Sequence, residues 1–526
     1  MKYREVIALS IDDLPDGQMK QVSVEGTEIL LVRQGDDIYA VGARCTHYGA
    51  SLVDGVLCGH RVVCPWHQAC FDVRTGALED PPALDPLPQF PVRVENGNIV
   101  VQLPESVPDR ARAPMASFNP QVDQRTYVLV GAGAAGLTAA QTLREVGFEG
   151  RIILITEEEQ APYDRPNLTK AFLTGEAPPE WMPLREDTFY EEHDIELWTG
   201  RKVTCIDALG LSVHFEDGER LLADELLIAT GARPRKLGVE GENLPGVFTI
   251  RTLQQTEKLI DYLENAERAV IVGASFIGME SASSLRKRGI DVTVVAPETV
   301  PFAHTLGPEV GKVFYQLHSE QGVQFRMEHT VRRFHGDTRV REVELDNGER
   351  IPADVVIVGV GVVPVTEMVE GIPLLEDGSI PVNVCLCTGS GVFAAGDVAH
   401  FPDWRTGEGI RIEHWRTAQQ QGRIAAMNMA GLVERFTSVP FFWTRQFDVS
   451  LQYVGHAPRW EEVCIVGSPE ERDFVAYYVR KGKVYAAAGM GRSRELGAIE
   501  ELMRQQGLLD VDVLTTVDSP EELLTC

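Results

Sequence analysis

The sequence predicts a multidomain protein in which a small all-β unit precedes two doubly wound α/β units. The chain has 526 residues, more than one hydrophobic core usually organises. Roughly the first hundred residues form short β-rich runs separated by Asp-Gly, Gly-Asp and Asn-Gly turns. Two later segments each join an apolar strand to a glycine-rich turn and a helix, which is how a doubly wound α/β fold begins.

The N-terminal unit, residues 1–103, is predicted from seven β-rich runs. Four runs precede a pair of loops that carry Cys and His, and three runs follow it. The runs are Glu5–Leu9, Gln21–Val24, Glu28–Arg33, Ile38–Gly42, Phe71–Val73, Val92–Val94 and Ile99–Leu103. We therefore expect an all-β unit with both loops at one end.

The two loops carry potential metal ligands. Cys45 and His47 form a C-x-H loop, and Cys64 and His67 form a C-x-x-H loop. Structural zinc sites usually pair two C-x-x-C knuckles, or one such knuckle with an H-x₃₋₅-H run. One Cys and one His in each loop instead suit a [2Fe–2S] cluster, with two thiolates on one iron and two imidazoles on the other. A structural zinc site, or four unrelated residues, is the alternative.

The composition argues against several classes of partner. The net charge of −29 is unfavourable for binding nucleic acid or an anionic membrane surface. The N-terminus has no basic region followed by an apolar run, and no stretch reaches the about 20 apolar residues that cross a bilayer. The nine cysteines, an odd number, favour a reducing cytoplasmic location over a disulfide framework.

Residues 104–124 are predicted to form an extended linker. Four prolines, separated by alanine, arginine and serine, leave no helical or strand periodicity. A cluster domain on such a linker can dock where electrons are supplied, or move between docking sites.

The first glycine-rich segment predicts a dinucleotide site. The strand Tyr127–Val130 leads directly into a G-x-G-x-x-G motif and then a helix. The motif glycines are Gly131, Gly133 and Gly136. They let the backbone approach a pyrophosphate at the N-terminus of the helix. The next strand, Arg151–Thr156, ends at Glu157, which we expect to accept a hydrogen bond from a ribose hydroxyl.

A second segment repeats this pattern. The strand Ala269–Val272 leads into Gly273 and Gly278, and the middle glycine is replaced by Ser275, a small residue that still permits close approach. The next strand is Val292–Val295. Two dinucleotide folds in one chain predict FAD in the first and a nicotinamide in the second.

The end of that last strand bears on the choice of nicotinamide. An acidic residue usually marks NADH, and Glu298 lies shortly beyond the strand. No arginine directly follows the strand to meet the 2′-phosphate of NADPH. The sequence therefore favours NADH over NADPH.

Further motifs identify the family that the chain resembles. The two loops read CTHYGASL and CPWHQACFDVRTG, which resemble a Rieske iron–sulfur domain. The segments PYDRPNLTK, LLIATGA, VVIVGVG and VFAAGD accompany the two dinucleotide motifs. Together they resemble flavin-dependent pyridine nucleotide oxidoreductases, above all the ferredoxin reductases of oxygenase systems and apoptosis-inducing-factor-like proteins with a fused Rieske domain. The resemblance covers nearly the whole chain.

This resemblance implies four domains. They are a Rieske [2Fe–2S] domain at 1–103, a discontinuous FAD domain at 125–239 and 353–434, an inserted NAD domain at 240–352, and a C-terminal α+β domain at 437–526.

The resemblance also assigns the cluster ligands. Those of the inner iron are Cys45 and Cys64, and those of the outer iron are His47 and His67. Quinol-oxidising Rieske proteins carry an additional disulfide between the loops, but Ala50 lies near the position of one of its cysteines. The site therefore resembles the lower-potential Rieske ferredoxins. The chain departs from many relatives at Gln68, where they carry glycine, and a side chain there either crowds the cluster or adds a hydrogen bond.

In the flavin domain, the resemblance implies that Arg165 and Lys170 lie over the isoalloxazine. Lys170 would pair with Glu280 beside the nicotinamide, Asp397 would bind the ribitol hydroxyls, and Trp415 would stack near the flavin. Solvated surface positions, and a structural role for Trp415, are the alternatives. The remaining implied cofactor-binding residues are Thr230, Gly231, Phe276, Ile277 and Gly361.

The resemblance implies an NAD(P)H-dependent reductase. Disulfide reductases of this fold carry a C-x₄-C pair after the first glycine motif, and this chain has none. We therefore expect electrons to pass from nicotinamide through FAD to the chain's own Rieske cluster. From there, through histidines that reach solvent, they would pass to an acceptor such as a terminal oxygenase or another iron protein. A redox-responsive signalling protein and a flavoprotein with its own small-molecule substrate are the alternatives, and the oligomeric state stays open.

Overall fold

The N-terminal unit consists of antiparallel strands, as the seven β-rich runs predicted. The computed structural model describes residues 3–389 and 391–525, so the outer limits predicted for the first and last domains, residues 1 and 526, lie outside this range. The strands are Tyr3–Ser10, Met19–Val24, Thr27–Gln34, Asp37–Gly42, Val56–Cys58, Arg61–Val63, Cys70–Asp72, Leu78–Asp80, Val92–Glu95 and Asn98–Pro104. Three of them, at 56–58, 61–63 and 78–80, were not predicted, because three-residue strands give too little alternation to detect.

These strands form three small sheets. The second, third and fourth strands make a meander, the fifth to eighth make another, and the first strand pairs with the tenth, which also pairs with the ninth. The candidate ligand loops follow Asp37–Gly42 and Arg61–Val63. Both loops therefore emerge from hydrogen-bonded strands that limit their movement.

The segment 105–125 contains neither helix nor strand, as expected for an extended linker. It is nevertheless hydrogen-bonded along its length. The backbone N–H of Ala111 donates to the carbonyl oxygen of Pro86 at 3.0 Å, and that of Ala116 donates to Arg144 at 2.8 Å. The segment therefore lies against the units on both sides of it.

The first large sheet has six strands and two principal helices. In spatial order the strands are Ile195–Trp198, Arg151–Ile155, Thr126–Val130, Glu225–Ile228, Val392–Ala394 and Cys387–Gly389. All neighbours are parallel except the last pair. The central strands are buried on both faces, which explains their continuous apolar sequences. The helices are Ala134–Glu145 and Trp415–Met429.

The second large sheet is entirely parallel. Its strands, in spatial order, are Val247–Phe248, Val355–Val358, Arg268–Val272, Asp291–Ala296 and Gln324–Met327. The helices of this unit are Leu253–Leu263, Phe276–Lys287 and Ala303–Glu320. The predicted boundary between 352 and 353 was wrong, because the strand at 355–358 belongs to this sheet and not to the first. An apolar parallel strand has the same local sequence in either sheet, so its membership depends on its partners.

The C-terminal unit packs a helix on an antiparallel sheet, which agrees with the predicted α+β class. The sheet order is Phe441–Gln446, Val449–Gly455, Lys483–Met490, Asp473–Arg480 and Glu462–Ser468, with Leu509–Asp510 paired to the third of these. The helices are Ser493–Gln506 and Val511–Leu514.

Smaller elements complete the fold. The short strands are Val203–Asp207, Ser212–Phe215, Arg220–Leu222, Ala232–Pro234, Val331–His335, Glu342–Leu345, Arg350–Pro352, Val362–Pro364, Val369–Glu370, Ile380–Pro381, Ala399–Pro402 and Gly409–Arg411. The short helices are Ala171–Thr174 and Asp187–Glu192, and the 3₁₀ turns are Ile11–Asp13, Leu52–Asp54, Arg165–Thr169, Pro179–Trp181 and Pro520–Leu523. In the described part of the chain, no helix is both long and apolar enough to cross a membrane.

Candidate cofactor sites

A cavity of about 480 Å³ opens at the carboxyl ends of the first sheet. This is where ligands bind in doubly wound folds, because the strand ends and helix N-termini converge there. Eleven of the predicted cofactor-binding residues line it: Gly131, Gly133, Glu157, Arg165, Lys170, Thr230, Gly231, Ile277, Glu280, Asp397 and Trp415.

The first glycine turn fits a pyrophosphate. A Cβ added at Gly131 would lie 2.1 Å from the carbonyl oxygen of Ala229, and φ there is +112°, so only glycine is tolerated. A Cβ at Gly136 would lie 1.8 Å from the carbonyl oxygen of Gly131. At Gly133 a Cβ would have no protein atom within 4 Å, so this glycine leaves its space open to the cavity. These features fit the phosphates of FAD.

The second glycine turn has the same geometry. Gly273 has φ +106°, and a Cβ there would lie 2.2 Å from the carbonyl oxygen of Gly359. A Cβ at Gly278 would lie 2.1 Å from the carbonyl oxygen of Gly273. Ser275 is exposed at the start of the helix Phe276–Lys287. A small polar residue in this position leaves room for a second dinucleotide.

Two further residues predicted to bind a cofactor, Phe276 and Gly361, do not line the cavity. The ring of Phe276 packs on Phe302 and Phe442, with centroid separations of 4.9 and 4.7 Å. Phe276 thus contributes to the apolar core as well as to the turn. Gly361 is exposed between two strands, and its carbonyl oxygen accepts a hydrogen bond from the backbone of Arg235. It is not part of the cavity wall.

Glu298, the residue predicted to favour NADH, lies just after the strand Asp291–Ala296. Its Oε2 atom is buried and has no hydrogen-bond partner among the described residues. The Nε2 atom of His304 is 3.9 Å from Oε1. The Glu298 side chain as a whole is 24% exposed, so part of it, but not Oε2, faces solvent.

Lys170 and Glu280 form the predicted ion pair. Lys170 Nζ lies 2.7 Å from Glu280 Oε2, and Thr169 donates to the same oxygen. The other oxygen, Oε1, accepts from Thr444 of the C-terminal unit at 2.7 Å. Glu280 is only 4% exposed, which excludes the alternative of a surface helix position. Several donors to one buried carboxylate fix its orientation.

The hydrogen bonds continue from Thr444 into the second α/β unit. Gln446 Nε2 donates to Thr444 Oγ1 at 3.1 Å, and His318 Nε2 donates to Gln446 Oε1 at 2.7 Å. Burial lowers the pKa of His318 to about 4, so this imidazole is neutral near pH 7. The chain of donors points toward Glu280 and holds the pair in place.

Arg165 and Asp397 are each held by a residue that the sequence did not indicate. Arg165 Nη2 donates to Glu158 Oε1 at 2.8 Å, and Nη1 donates to the carbonyl oxygen of Arg251. The side chain of Arg251 in turn pairs with Asp397 at 3.1 Å. Glu158 and Arg251 lie outside every motif, so only their spatial position reveals them.

The two ligand loops have the same backbone turn. In the first loop, Cys45 N–H donates to Ala50 and Gly49 N–H donates to Cys45, both at 2.9 Å. In the second loop, Cys64 N–H donates to Ala69 at 2.8 Å and Gln68 N–H donates to Cys64 at 3.1 Å. Gly49 has φ +76° and Gln68 has φ +58°. Gln68 therefore occupies the left-handed position that glycine fills in the first loop.

The four predicted ligands converge. His47 Nδ1 lies 3.0 Å from His67 Nδ1, and the buried thiols of Cys45 and Cys64 are hydrogen-bonded to each other. Burial lowers the pKa of His47 to about 3 and also lowers that of His67, so both rings are neutral and offer lone pairs. Among the described residues, no three such side chains converge on one ion position. A binuclear cluster with two protein ligands on each iron fits this donor set.

The candidate cluster site faces the rest of the protein. His47 and His67 are half-buried, so the expectation that they reach solvent is only partly met. The ring of Trp443, from the C-terminal unit, lies 4.3 Å from that of His67, between centroids. Gln452 Nε2 donates to the carbonyl oxygens of Pro65 and Trp66, each at 2.7 Å. The C-terminal unit thus covers the second ligand loop.

The first ligand loop contacts the segment Asp164–Lys170, part of which lines the cavity at the first sheet. Tyr48 donates its hydroxyl proton to the carboxylate of Asp164, and Asn167 Nδ2 donates to the same hydroxyl at 2.9 Å. Neither this contact nor the contact with Trp443 had a signal in the sequence, because both join residues far apart in the chain.

Gln68, the departure from the family pattern, is fully buried. Neither its amide nitrogen nor its amide oxygen has a hydrogen-bond partner among the residues that the structure describes. Its backbone carbonyl oxygen, by contrast, accepts from Arg416 at 2.9 Å.

Three family models match the chain in succession. The model described as Rieske [2Fe-2S] domain matches residues 4–91, and pyridine nucleotide-disulphide oxidoreductase matches 125–422. The model described as reductase C-terminal matches residues 441–522.

Curated proteins and solved structures give the same pattern. Apoptosis-inducing factor 3 of Homo sapiens is 38% identical over 95% of this chain and 84% of its own length. The biphenyl dioxygenase system ferredoxin–NAD(+) reductase component of Paraburkholderia xenovorans is 32% identical over 75% of this chain and 97% of its own. A covalent putidaredoxin reductase–putidaredoxin complex matches 76% of this chain and 98% of that chain, at 30% identity and a TM-score of 0.72.

Proposed function

The chain belongs to the pyridine nucleotide-disulphide oxidoreductase family and carries a Rieske [2Fe-2S] domain, and from this premise we propose that it passes electrons from NADH, through FAD, to its own cluster. It is a ferredoxin-reductase-like flavoprotein whose cofactors are FAD, a nicotinamide and a Rieske cluster. The proposal adds the route between the cofactors and the preference for NADH.

The segment Asp164–Lys170 carries this proposal, because it borders both cofactor sites. Arg165 and Lys170 line the FAD cavity. Asp164 and Asn167 bind the hydroxyl of Tyr48, which follows the proposed ligand His47. Only a few residues therefore separate the flavin cavity from the cluster loops. This short separation supports transfer within one molecule.

When bound, FAD would supply hydride acceptance from the nicotinamide and the Rieske cluster would supply one-electron transfer, so the pair would convert a two-electron donor into one-electron steps. In this proposal the glycine turns hold the pyrophosphates and Glu157 accepts from a ribose hydroxyl. Lys170 and Glu280, fixed as an ion pair, orient the ring at the cavity. Cys45, His47, Cys64 and His67 hold the cluster. No side chain is required as a general acid or base.

The preference for NADH is supported by Glu298. Its partly exposed carboxylate, just beyond the strand Asp291–Ala296, can accept from a ribose hydroxyl, whereas a 2′-phosphate would meet a negative charge. The name of the Paraburkholderia relative, a ferredoxin–NAD(+) reductase component, is consistent with this choice.

We propose an iron protein, such as a terminal oxygenase, as the final acceptor. The side chains beside the proposed ligands offer a surface for such a partner: Trp66 is 51% exposed and Tyr48 is 47% exposed. Aromatic residues of this kind are common at the centre of protein interfaces.

Anaerobic stopped-flow absorbance of the holoprotein mixed with NADH tests the route. We expect bleaching of the flavin, followed by rapid reduction of the cluster before any partner is added. If the flavin is reduced while the cluster stays oxidised, the internal route is wrong. A long-lived reduced flavin–nicotinamide complex would then favour a redox-responsive binding protein, as in the likeness to apoptosis-inducing factor 3.

A further inference from the structure

We propose that Arg416 is a positioning residue for the cluster. Its side chain links the helix Trp415–Met429 to the second ligand loop, and its buried positive charge raises the reduction potential of the cluster. This inference rests on the proposed ligands Cys64 and His67. It does not require that electrons actually pass from flavin to cluster.

Arg416 lies at the start of the helix Trp415–Met429, where two neighbouring residues contact different sites. Trp415 lines the flavin cavity. Arg416, the next residue, is only 1% exposed and reaches the Rieske unit. The two residues are adjacent at a helix start, so the same stretch of backbone positions both side chains.

The guanidinium of Arg416 is bound on three sides. Its Nη2 donates to the carbonyl oxygen of Gln68 at 2.9 Å, and its Nε donates to that of Pro81 at 2.7 Å. Its Nη1 donates to Glu500 Oε1 at 2.6 Å. A planar guanidinium with three fixed acceptors has one orientation, so it defines where the Gln68 carbonyl lies.

The backbone at Gln68 has an unfavourable conformation directly after a proposed ligand. Gln68 directly follows His67, and its left-handed φ of +58° carries an energetic cost for a non-glycine residue. The side chain of Gln68 forms no hydrogen bond within the described residues, so it does not offset this cost. The charged hydrogen bond from Arg416 therefore adds to the backbone hydrogen bonds that stabilise the turn after the ligand.

The charge of Arg416 also acts on the cluster. Arginine stays protonated, and a buried charge acts over longer distances than a solvated one because the surrounding dielectric is low. A nearby positive charge stabilises the reduced cluster, which carries one more electron, and so raises its reduction potential. Glu500, buried beside Arg416, opposes this effect when it is ionised. Burial raises the pKa of Glu500 to about 7, so this opposing charge is present above that pH.

Because Arg416 and Glu500 carry opposite charges, neutralising each of them should shift the reduction potential of the cluster in opposite directions. At pH 8.5, where Glu500 is ionised, we would measure the midpoint potential of the cluster in the holoprotein by redox titration followed by electron spin resonance, for Arg416→Gln and for Glu500→Gln. We expect the potential to fall in Arg416→Gln and to rise in Glu500→Gln. The matched control is Arg423→Gln, since Arg423 on the same helix binds the carbonyl oxygens of Leu78 and Glu79, away from the ligand loops. Its potential should equal that of the wild type.

Arg416→Lys separates charge from position. The variant keeps the charge but loses the three-way fork, so we expect a nearly unchanged potential with a broadened Rieske electron-spin-resonance signal, because the ligand loop is held less tightly. The inference is overturned if Arg416→Gln and Glu500→Gln shift the potential in the same direction, or not at all, while the Rieske signal is intact. If Arg416→Gln fails to assemble the cluster, the direction of the potential shift in Glu500→Gln decides whether the inference holds: a rise supports it, and a fall or no shift overturns it. If the variants keep the Rieske signal but their potential does not move, only the role of Arg416 is refuted. The assignment of the cluster ligands is tested separately, by substitution of His67.

Discussion

The Nδ1 atoms of His47 and His67 lie 3.0 Å apart, although the two histidines stand on different loops. Two neutral imidazoles with adjacent lone pairs suit one iron of a Rieske cluster. We therefore expect His67→Cys to replace the Rieske electron-spin-resonance signal with that of an all-thiolate ferredoxin, or to lose the cluster. His60→Gln is the control, since His60 packs edge-on against Tyr39 and is no proposed ligand. An unchanged signal in His67→Cys would rule out this ligand set.

Thr444 is expected to stabilise the Lys170–Glu280 pair from the C-terminal unit. In Thr444→Val the Oε1 atom of buried Glu280 loses its donor, and a hydrogen bond to a charged group contributes about 1.5–3 kcal/mol. Thermal unfolding should begin at a lower temperature, and reduction of the flavin by NADH should slow. Thr444→Ser keeps the hydroxyl and should resemble the wild type. Equal unfolding temperatures for all three proteins would contradict this prediction.

Glu298 is expected to determine the nicotinamide preference. In Glu298→Arg the acceptor for the ribose hydroxyl is lost and a partner for a 2′-phosphate is gained. Since a charged hydrogen bond contributes about 1.5–3 kcal/mol, the ratio of kcat/KM for NADH to that for NADPH should fall roughly 10- to 100-fold. His304→Gln, a change at an 87% exposed neighbour, is the control and should leave the ratio within a few-fold. Steady-state kinetics with both coenzymes decides, and an unchanged ratio in Glu298→Arg refutes the assignment.

His318 is expected to make stability depend on pH. Its pKa falls from 6.5 to about 4 on burial, so between these values the unfolded chain binds a proton that the folded chain does not. Stability from this group is therefore complete above pH 6.5 and is lost as the pH falls toward 4. Between pH 6.5 and 5 the loss is about 2 kcal/mol. In His318→Gln the unfolding temperature should fall less over this range than in the wild type, and an equal fall would contradict the prediction.

The sequence predicted those parts of the fold that local chemistry determines. The turn at Gly131 needs glycine because its neighbours leave no space for a Cβ, and this requirement is visible as a motif between strand and helix. The spacing of Cys45, His47, Cys64 and His67 likewise indicated a binuclear cluster before any distance was known. These features depend on residues that are close in the chain.

The features that the sequence did not reveal depend on distant residues. The strand Val355–Val358 was assigned to the wrong unit because its apolar sequence suits either sheet. Arg251 holds Asp397 across 146 positions, and Trp443 covers His67 from another unit. Gln68 was noticed as a departure from the family pattern, but only its φ of +58° shows that it takes the backbone conformation of a glycine.

The extended segment 105–125 has a consequence for how the two halves of the molecule meet. Because it joins them covalently and is hydrogen-bonded at Ala111 and Ala116, each flavin unit has one Rieske unit always beside it. A short tether keeps the effective concentration of the two partners near the millimolar range, whatever the amount of protein present. Two separate proteins would come apart on dilution, and their contact would follow mass action. In the fused chain, contact between the flavin unit and the Rieske unit does not depend on how much protein the cell makes.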